Sequence, residues 1–350
     1  MRSDFSLMLS WLEQGEDLAV LTVISRQGSA PRLPGSRMLL TADGRQAGTI
    51  GGGSVEAQAL HLAREVWQDG LGRVLHFSSG PDRSTEVDMI CGGSVDILLE
   101  WLPGDDYNIA LLRSIKEQQD KGQRGYVITP LPVPGCAAEP RFYLGPDGNV
   151  IGTTNLSDNQ EMMAAVTDIR TSRIITMEQS SFLVEPCCPS VKLYIFGAGH
   201  VARAICPLAM QLGFAVMVVD DRAEYLTREL FPAVHQIVLI HSFQNCLPGL
   251  MVDDNSMLLI VTRGHQSDQM VLAQALSTPA FYIGMIGSIR KRDTIYQNLL
   301  SQGVCTTAEL ERVNCPVGLK IGADTPEEIA VSICAQLIQA RAVKKRGKIK

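Results

Sequence analysis

Two spacings of apolar residues divide the chain. In the first half, apolar positions fall in short strand-like runs: residues 18–32, 37–50, 73–77 and 95–102, then 126–141, 141–154, 173–177 and 181–185. Helical stretches are expected between them at 54–67 and 158–171. In the second half, apolar runs at 191–196, 215–219, 235–240, 256–262 and 280–286 alternate with helical patterns, the form taken by strand–helix–strand units of a parallel sheet. The chain opens on a helical stripe of Phe5, Leu7, Met8, Trp11 and Leu12, and closes on another through Ile329, Ile333 and Leu337. That closing helix has a marked start, with Thr325 and Glu328 forming a capping box and Pro326 at the first helical position.

The first half also repeats itself. Residues 37–50 (RMLLTADGRQAGTI) align without a gap on residues 141–154 (RFYLGPDGNVIGTT), identical at six of fourteen positions. Both read as strand, Asp-Gly turn, strand, because Asp-Gly supplies the positive φ that a tight hairpin needs. The flanking runs match in kind, giving pseudo-repeats over 18–102 and 125–188. The copies differ where chemistry is expected: the first has Gly51-Gly52-Gly53 where the second has Asn155-Leu156-Ser157, and only the first has the long connection SSGPDRSTEVDMICGGS. The predicted fold is therefore α/β. An N-terminal α+β domain with a degenerate internal repeat (1–188) is followed by a Rossmann-like, doubly wound parallel-sheet domain (189–342) and a tail (343–350).

Composition narrows the function classes. The 350 residues are 45% hydrophobic and 19% charged, enough to bury two cores. A net charge of −6 gives no basic face for nucleic acid. No apolar run reaches the roughly 18 residues of a membrane span, and the acidic start lacks the form of a signal peptide. Nine cysteines, an odd number without an export signal, read as reduced thiols of a cytoplasmic protein. The neighbours Cys187 and Cys188 lie in the expected linker and receive no role.

Three first-half stretches have the composition of a site. Gly51, Gly52 and Gly53 run from a strand into a helix, where bare backbone amides and the helix terminus suit an anion; a tightly packed turn would use the same glycines. Cys91, beside Gly92 and Gly93, has an open approach and suits a soft metal or a carried sulfur; a small buried thiol is the plain alternative. Arg32 ends the turn-forming stretch GSAPR and is either solvated or an anion clamp.

The second half carries IFGAGHVARA. Gly197, Gly199 and Ala202 stand at the small-residue positions of a dinucleotide fingerprint, and Asp220, some twenty residues on, is the expected partner of a ribose hydroxyl. Polar residues recur at strand ends: His200, then His265 within TRGHQSD, then Ser288 followed by Arg290 and Lys291, a second anion cradle. In a parallel sheet these ends form one crevice.

Taken in order, GSAPRLPGSRM, GTIGGGSVE, MICGGSVDILLE, IFGAGHVARA, VVDDR, VTRGHQSDQMVL, YIGMIGSIRK and CPVGLKIGADTPEEIAVSICAQL resemble the XdhC/CoxI family, accessory proteins of xanthine dehydrogenase and related molybdenum hydroxylases. The resemblance spans nearly the whole chain. It implies a protein that binds the molybdenum cofactor (molybdopterin, as mono- or dinucleotide), supports its sulfurated form and hands it to a hydroxylase client. It also implies a cysteine desulfurase as a further partner, and leaves pairing of two copies of the chain open. Gly51–Gly53 and Cys91, the latter as metal ligand, fall in its N-terminal signatures, and Gly197–Ala202 in its Rossmann signature. The turn before the last helix departs from the family's usual His-Ala-Pro-Ile-Gly-Leu-Asp, reading NCPVGLK from Asn314 to Lys320. Two other readings of the same residues are an NAD(P)-dependent oxidoreductase with His200 or His265 as acid/base, and a binding scaffold for a hydroxylase. A labile ligand with a phosphate end and a soft-metal end accounts for both halves without hydride transfer.

Cys91→Ala should leave the melting temperature nearly unchanged while client hydroxylase activity falls in cells producing the variant, and Cys136→Ala or Cys206→Ala should cause no such loss. Normal client maturation by the Cys91 variant would make the thiol structural.

Overall fold

The computed structural model describes residues 4–28, 32–78, 93–133, 139–154, 159–177 and 180–345. The chain forms two compact units, residues 2–189 and 190–350. No helix among the described residues is long and apolar enough to cross a membrane.

The first unit is built twice from one plan. Its first copy comprises α1 (Asp4–Leu12), β1 (Leu18–Gly28), β2 (Arg37–Thr41), β3 (Gln46–Gly48), α2 (Gly53–Asp69), β4 (Arg73–Ser78) and β5 (Gly93–Leu102). The second comprises α3 (Asp106–Asp120), β6 (Gly125–Pro130), β7 (Phe142–Leu144), β8 (Val150–Ile151), α4 (Asn159–Val166), β9 (Arg173–Met177) and β10 (Ser180–Cys187). The antiparallel sheets run β3-β2-β1-β5-β4 and β8-β7-β6-β10-β9, the same order position by position. The aligned hairpins thus have equivalent neighbours. Their Asp-Gly turns use Gly44 and Gly148 at φ 89° and 76°, where a side chain would be strained.

The repeat is longer than the hairpin match indicated, because each copy begins with a helix. The signal for α3 lies in its sequence: Asp105 caps it by accepting from the Asn108 amide at 2.8 Å, and Leu111, Leu112 and Ile115 follow at helical spacing. These three residues join Met8, Leu9 and Leu12 of α1, with Val20 and Val127, in a core contributed by both copies. Each copy also has a private core: Ala59, Ala63 and Val66 of α2 beneath the first sheet, Met162 and Val166 of α4 beneath the second.

Buried charge locks the copies together. Arg37 stands opposite Thr22 and Glu100 opposite Val20. In the second sheet Phe142 stands opposite Ile128 and Glu185 opposite Val127, so the next step brings Arg141 to Thr129. Arg37 and Arg141 are therefore equivalent, as are Glu100 and Glu185. The pairs cross: Arg37 of the first copy binds Glu185 of the second, and Arg141 of the second binds Glu100 of the first at 2.9 Å. Both Arg37 and Glu185 side chains are 5% exposed. Arg37 also donates from Nε to Thr22 Oγ1 at 3.2 Å and lies over the Phe5 ring. Burial pushes the Glu185 carboxyl above the ordinary carboxylate range, with Arg37 and Arg141 pulling it back.

The second unit is a parallel sheet of β11 (Lys192–Phe196), β12 (Ala215–Asp220), β13 (Gln236–Leu239), β14 (Ser256–Ile260), β15 (Tyr282–Met285) and β16 (Val313–Asn314), ordered β13-β12-β11-β14-β15-β16. This is the doubly wound order, with its reversal between β11 and β14. Helices α5 (His200–Gln211) and α9 (Pro326–Lys345) cover one face; α6 (His265–Ala275) and α7 (Ile289–Ser301) cover the other, with the short α8 (Thr307–Glu311) leading into β16. Helices were expected between all the strands. Instead, β12 to β13 and β13 to β14 are joined by segments whose regular structure is a single 3₁₀ turn each, Ala223–Tyr225 and Phe243–Asn245. The first packs on the face of α5, where Ala330, Ile333, Cys334 and Leu337 of α9 also enter the core, and the second packs through Phe243 and Cys246 on the face of α6 and α7. Thr325 caps α9 as expected, accepting from the Glu328 amide at 3.2 Å.

Arg37→Met should cost about 3–5 kcal/mol, since it strands the Glu185 charge in the interior, and adding Glu185→Leu should recover most of that loss. Urea unfolding of the three proteins decides the matter; a double variant no better than the single would disprove the coupling.

Candidate functional site

The glycine turn of the second unit follows β11 at the point where the strand order reverses. Gly197 has φ 115°, and a Cβ there would come within 2.4 Å of the Val261 carbonyl oxygen, so only glycine allows the turn to press against the end of β14. Gly199 is different. It caps α5 without a side-chain acceptor, and nothing lies within 4 Å of where its Cβ would be. The open approach and uncapped amides suit an anion. His200, the first residue of α5, is exposed.

Asp220 does not stand ready for a ribose. It is 1% exposed, and its carboxylate accepts from the Ala198 amide at 2.7 Å, the Arg222 amide at 3.0 Å and the Arg222 guanidinium at 2.9 and 3.0 Å. Four donors meet the roughly four lone-pair directions of a carboxylate. Asp220 thus holds the glycine turn from below and fixes Arg222, whose guanidinium lies 4.0 Å from the Tyr225 ring centroid. Above it, Arg263 from the loop after β14 reaches Asp221 at 2.9 Å, joining the ends of two strands that flank β11.

The strand ends of β14 and β15 make a second centre. Asp268, in the first turn of α6, is fully buried; its Oδ1 accepts from the Thr262 amide at 3.2 Å and the Thr262 hydroxyl at 2.6 Å, and its Oδ2 pairs with Lys291. Burial pushes the Asp268 carboxyl up, opposed by Lys291 and Thr262. Ser288 caps α7 by accepting from the Lys291 amide at 3.2 Å. Beside it opens a cavity of about 390 Å³ lined by His265, Ser288, Arg290, Lys291, Thr294 and Ile295. Two residues expected from the sequence, His265 and Ser288, therefore meet in one place. Two cations against one buried carboxylate leave the cavity wall net positive.

The first-unit glycine turn is shaped by an anion of its own. The Glu56 carboxylate accepts from the amides of Ile50, Gly51 and Gly52 at 3.0, 3.3 and 2.9 Å and from the Thr49 hydroxyl. Burial opposes the charge, but these donors outweigh it and hold the carboxyl below its ordinary range. The amides expected to cradle an external anion at Gly51 and Gly52 thus already serve Glu56, placed by the helix four residues on. Gly53 opens α2, Arg32 is exposed, and Gly93 opens β5 opposite Gly28. Cys91 and Gly92 lie outside the described residues. Among the described residues, no three His, Cys, Asp or Glu side chains cluster as metal ligands.

The turn Asn314–Lys320 packs rather than projects. Asn314 donates to the Ile283 carbonyl, Val317 N–H to the Met285 carbonyl, and Gly318 N–H to Gln336 Oε1. Sequence reading missed Glu56, Asp268, Lys291 as a partner of Asp268, and the Arg263–Asp221 bridge. Asp268 did carry a signal, an acid three residues into a helix that follows a strand.

A family model described as the XdhC Rossmann domain matches residues 193–337, and one described as the XdhC and CoxI family matches residues 11–78. A probable xanthine dehydrogenase component of Bacillus subtilis (strain 168) is 27% identical over 341 residues, 97% of this chain and 98% of the relative. The molybdenum cofactor insertion chaperone PaoD of Escherichia coli (strain K12) is 24% identical over 332 residues, 94% of this chain and 85% of the relative. The crystal structure of a xanthine dehydrogenase from Bacillus halodurans superposes with a TM-score of 0.83 at 26% identity, covering 99% of this chain and 98% of that one.

Asp220→Ala should cost about 1–3 kcal/mol, because the Ala198 amide and Arg222 lose a buried acceptor. Burial raises this carboxyl, but Arg222 and the Ala198 amide outweigh it, so the folded value lies below the ordinary 3.8. Its contribution is therefore full above that value and is lost as pH falls through the lower folded one. Urea unfolding at a series of pH values should show wild type and variant converging only in acid; a gap that persists unchanged there would refute the assignment.

Proposed function

Because this chain belongs to the XdhC and CoxI family, we propose that it binds the molybdenum cofactor as cargo and delivers it to a xanthine dehydrogenase-type hydroxylase. The observation that carries the reading lies at the carboxyl edge of the parallel sheet: open amides at Gly199 after β11 and, after β15, a cavity lined by Ser288, Arg290 and Lys291. These residues fit a phosphate-bearing ligand, since they offer donors and net positive charge beside an accessible opening. Gly199 takes the close approach, Arg290 and Lys291 neutralise charge, and His265 and Ser288 supply polar contacts. The cargo itself supplies the metal and its sulfur ligands; the chain's part is to bind, orient and release it.

In the finer reading, Cys91 is the soft donor at the metal end, the cargo travels in its sulfurated form, and a cysteine desulfurase is the sulfur source. The family resemblance and the thiol between Ile90 and Gly92 support it.

The protein purified from molybdenum-replete cells should carry a pterin, detected by its fluorescence after oxidative release. Gly199→Val and Arg290→Glu should each weaken retention about tenfold or more, the scale of a lost charge-assisted hydrogen bond. Recovery of a nicotinamide nucleotide in place of a pterin would favour an oxidoreductase and overturn the proposal, as would undiminished pterin in both variants.

A further inference from the structure

Two aspartates stand at the end of β12, and the fold uses them differently. Asp220 is saturated, with four donors fixing it beneath the glycine turn. Asp221 accepts from Arg263 at 2.9 Å, and Arg222 Nε stands off its other oxygen at 3.9 Å. The Arg263 side chain is 50% exposed and comes from the loop after β14, two strands from Asp221 in the order β12-β11-β14. The bridge therefore crosses the mouth of the turn that leaves β11. An ion pair so exposed contributes little to stability. The strands it joins are already tied through β11, which pairs with both.

What the bridge crosses is a place for an anion. Gly199 caps α5 and Gly264 caps α6; neither has a side-chain acceptor, and nothing lies within 4 Å of where either Cβ would be. Two open helix starts thus follow adjacent strands where the strand order reverses. Arg263 immediately precedes Gly264, and its side chain runs from there to Asp221. Arg203, in the first turn of α5, adds a guanidinium whose Nε is buried without a hydrogen-bond partner and whose carbon lies 5.7 Å from the Tyr225 ring centroid. Arg203, Arg222 and Arg263 against Asp220 and Asp221 leave this group with an excess of positive charge. A diphosphate, with two anionic groups side by side, matches two helix starts and the arginine beside them.

We propose that Arg263 is a diphosphate-binding residue held in reserve by Asp221. On binding, its guanidinium exchanges the Asp221 carboxylate for a phosphate resting on the amides at Gly199 and Gly264, and Asp221 recovers it on release. Ligand and carboxylate compete for one cation, so Asp221 lowers the affinity and eases departure, as a carrier that hands over its cargo requires. The inference rests on the reading that a phosphate-bearing cargo lies at this edge of the sheet. It specifies the phosphate group and the residue that lets it go.

Inorganic pyrophosphate, titrated into the full chain by calorimetry, separates this exchange from the rest of the cargo. Arg263→Met should weaken binding about tenfold, the scale of a lost charge-assisted hydrogen bond. Asp221→Asn should tighten it about three- to fivefold, the upper range of what an exposed ion pair returns. In the Arg263→Met background that gain should largely disappear. Glu224→Gln, which removes an exposed charge from the same loop without touching the bridge, should leave binding unchanged. All of these variants should unfold at the wild-type temperature. Weaker binding by Asp221→Asn, an equal gain without Arg263, or a wild-type chain that leaves pyrophosphate unbound at millimolar concentration would each rule the exchange out. Pterin recovered with the purified protein reports on the cargo separately. Pterin without a pyrophosphate response sinks the exchange alone, whereas the expected pyrophosphate pattern in pterin-free protein upholds the exchange and sinks the cargo.

Discussion

The crossed pairing of Arg37 with Glu185 and Arg141 with Glu100 governs the first unit. A buried ion pair is weak evidence of net stability, because removing two charges from water costs about what their attraction returns. Its force lies in exclusion. With four charges inside the unit, any mating of the copies that leaves one unmatched carries the cost of an isolated interior charge. The reciprocal arrangement satisfies all four at once, and only when Arg37 meets β10 while Arg141 meets β5. The shared core of α1 and α3 is then the apolar filling of an arrangement whose geometry the charges select.

The same logic recurs wherever a turn has to be held open. Asp220 grips the Ala198 amide and Arg222, Asp268 grips Thr262 and Lys291, and Glu56 grips three amides and Thr49. Each is a carboxylate whose donors come from a loop that local backbone hydrogen bonding cannot satisfy. Residues of this kind determine where the neighbouring groups point, because the donors they hold are fixed in place. The groups left facing outward are the unobstructed Gly199 amide, exposed His265 and the cationic wall of Arg290 and Lys291. The anionic cargo proposed for this place would meet a scaffold already organised, so its binding would need little reorganisation.

Much of the fold was legible because it depends on neighbours in sequence. Alternating apolar runs, Asp-Gly turns, the Thr325 capping box and the glycine turn after β11 are all local signals. The repeat was legible from its hairpins; α1 was read as a helix but not as part of the repeat, and α3 escaped, because the two helices do not match each other in sequence. The missing helices after β12 and β13 were not legible, since one face is covered by α9, more than a hundred residues downstream of β12, and the other by α6 and α7.

What the sequence by itself determined is the class of chemistry: a doubly wound nucleotide-type domain, a duplicated partner with glycine turns, and acids and bases gathered at strand ends. What only the tertiary structure decided is which of those acids are taken up by the scaffold's own donors. Asp220 follows a strand at the spacing of a ribose acceptor, and Glu56 follows three glycines that suit an anion; nothing local tells either role from the other. The distinction depends on which donors arrive in space, Ala198 and Arg222 in one case, Thr49 to Gly52 in the other. A carboxylate's few lone pairs go to the donors that folding brings nearest, before any ligand arrives.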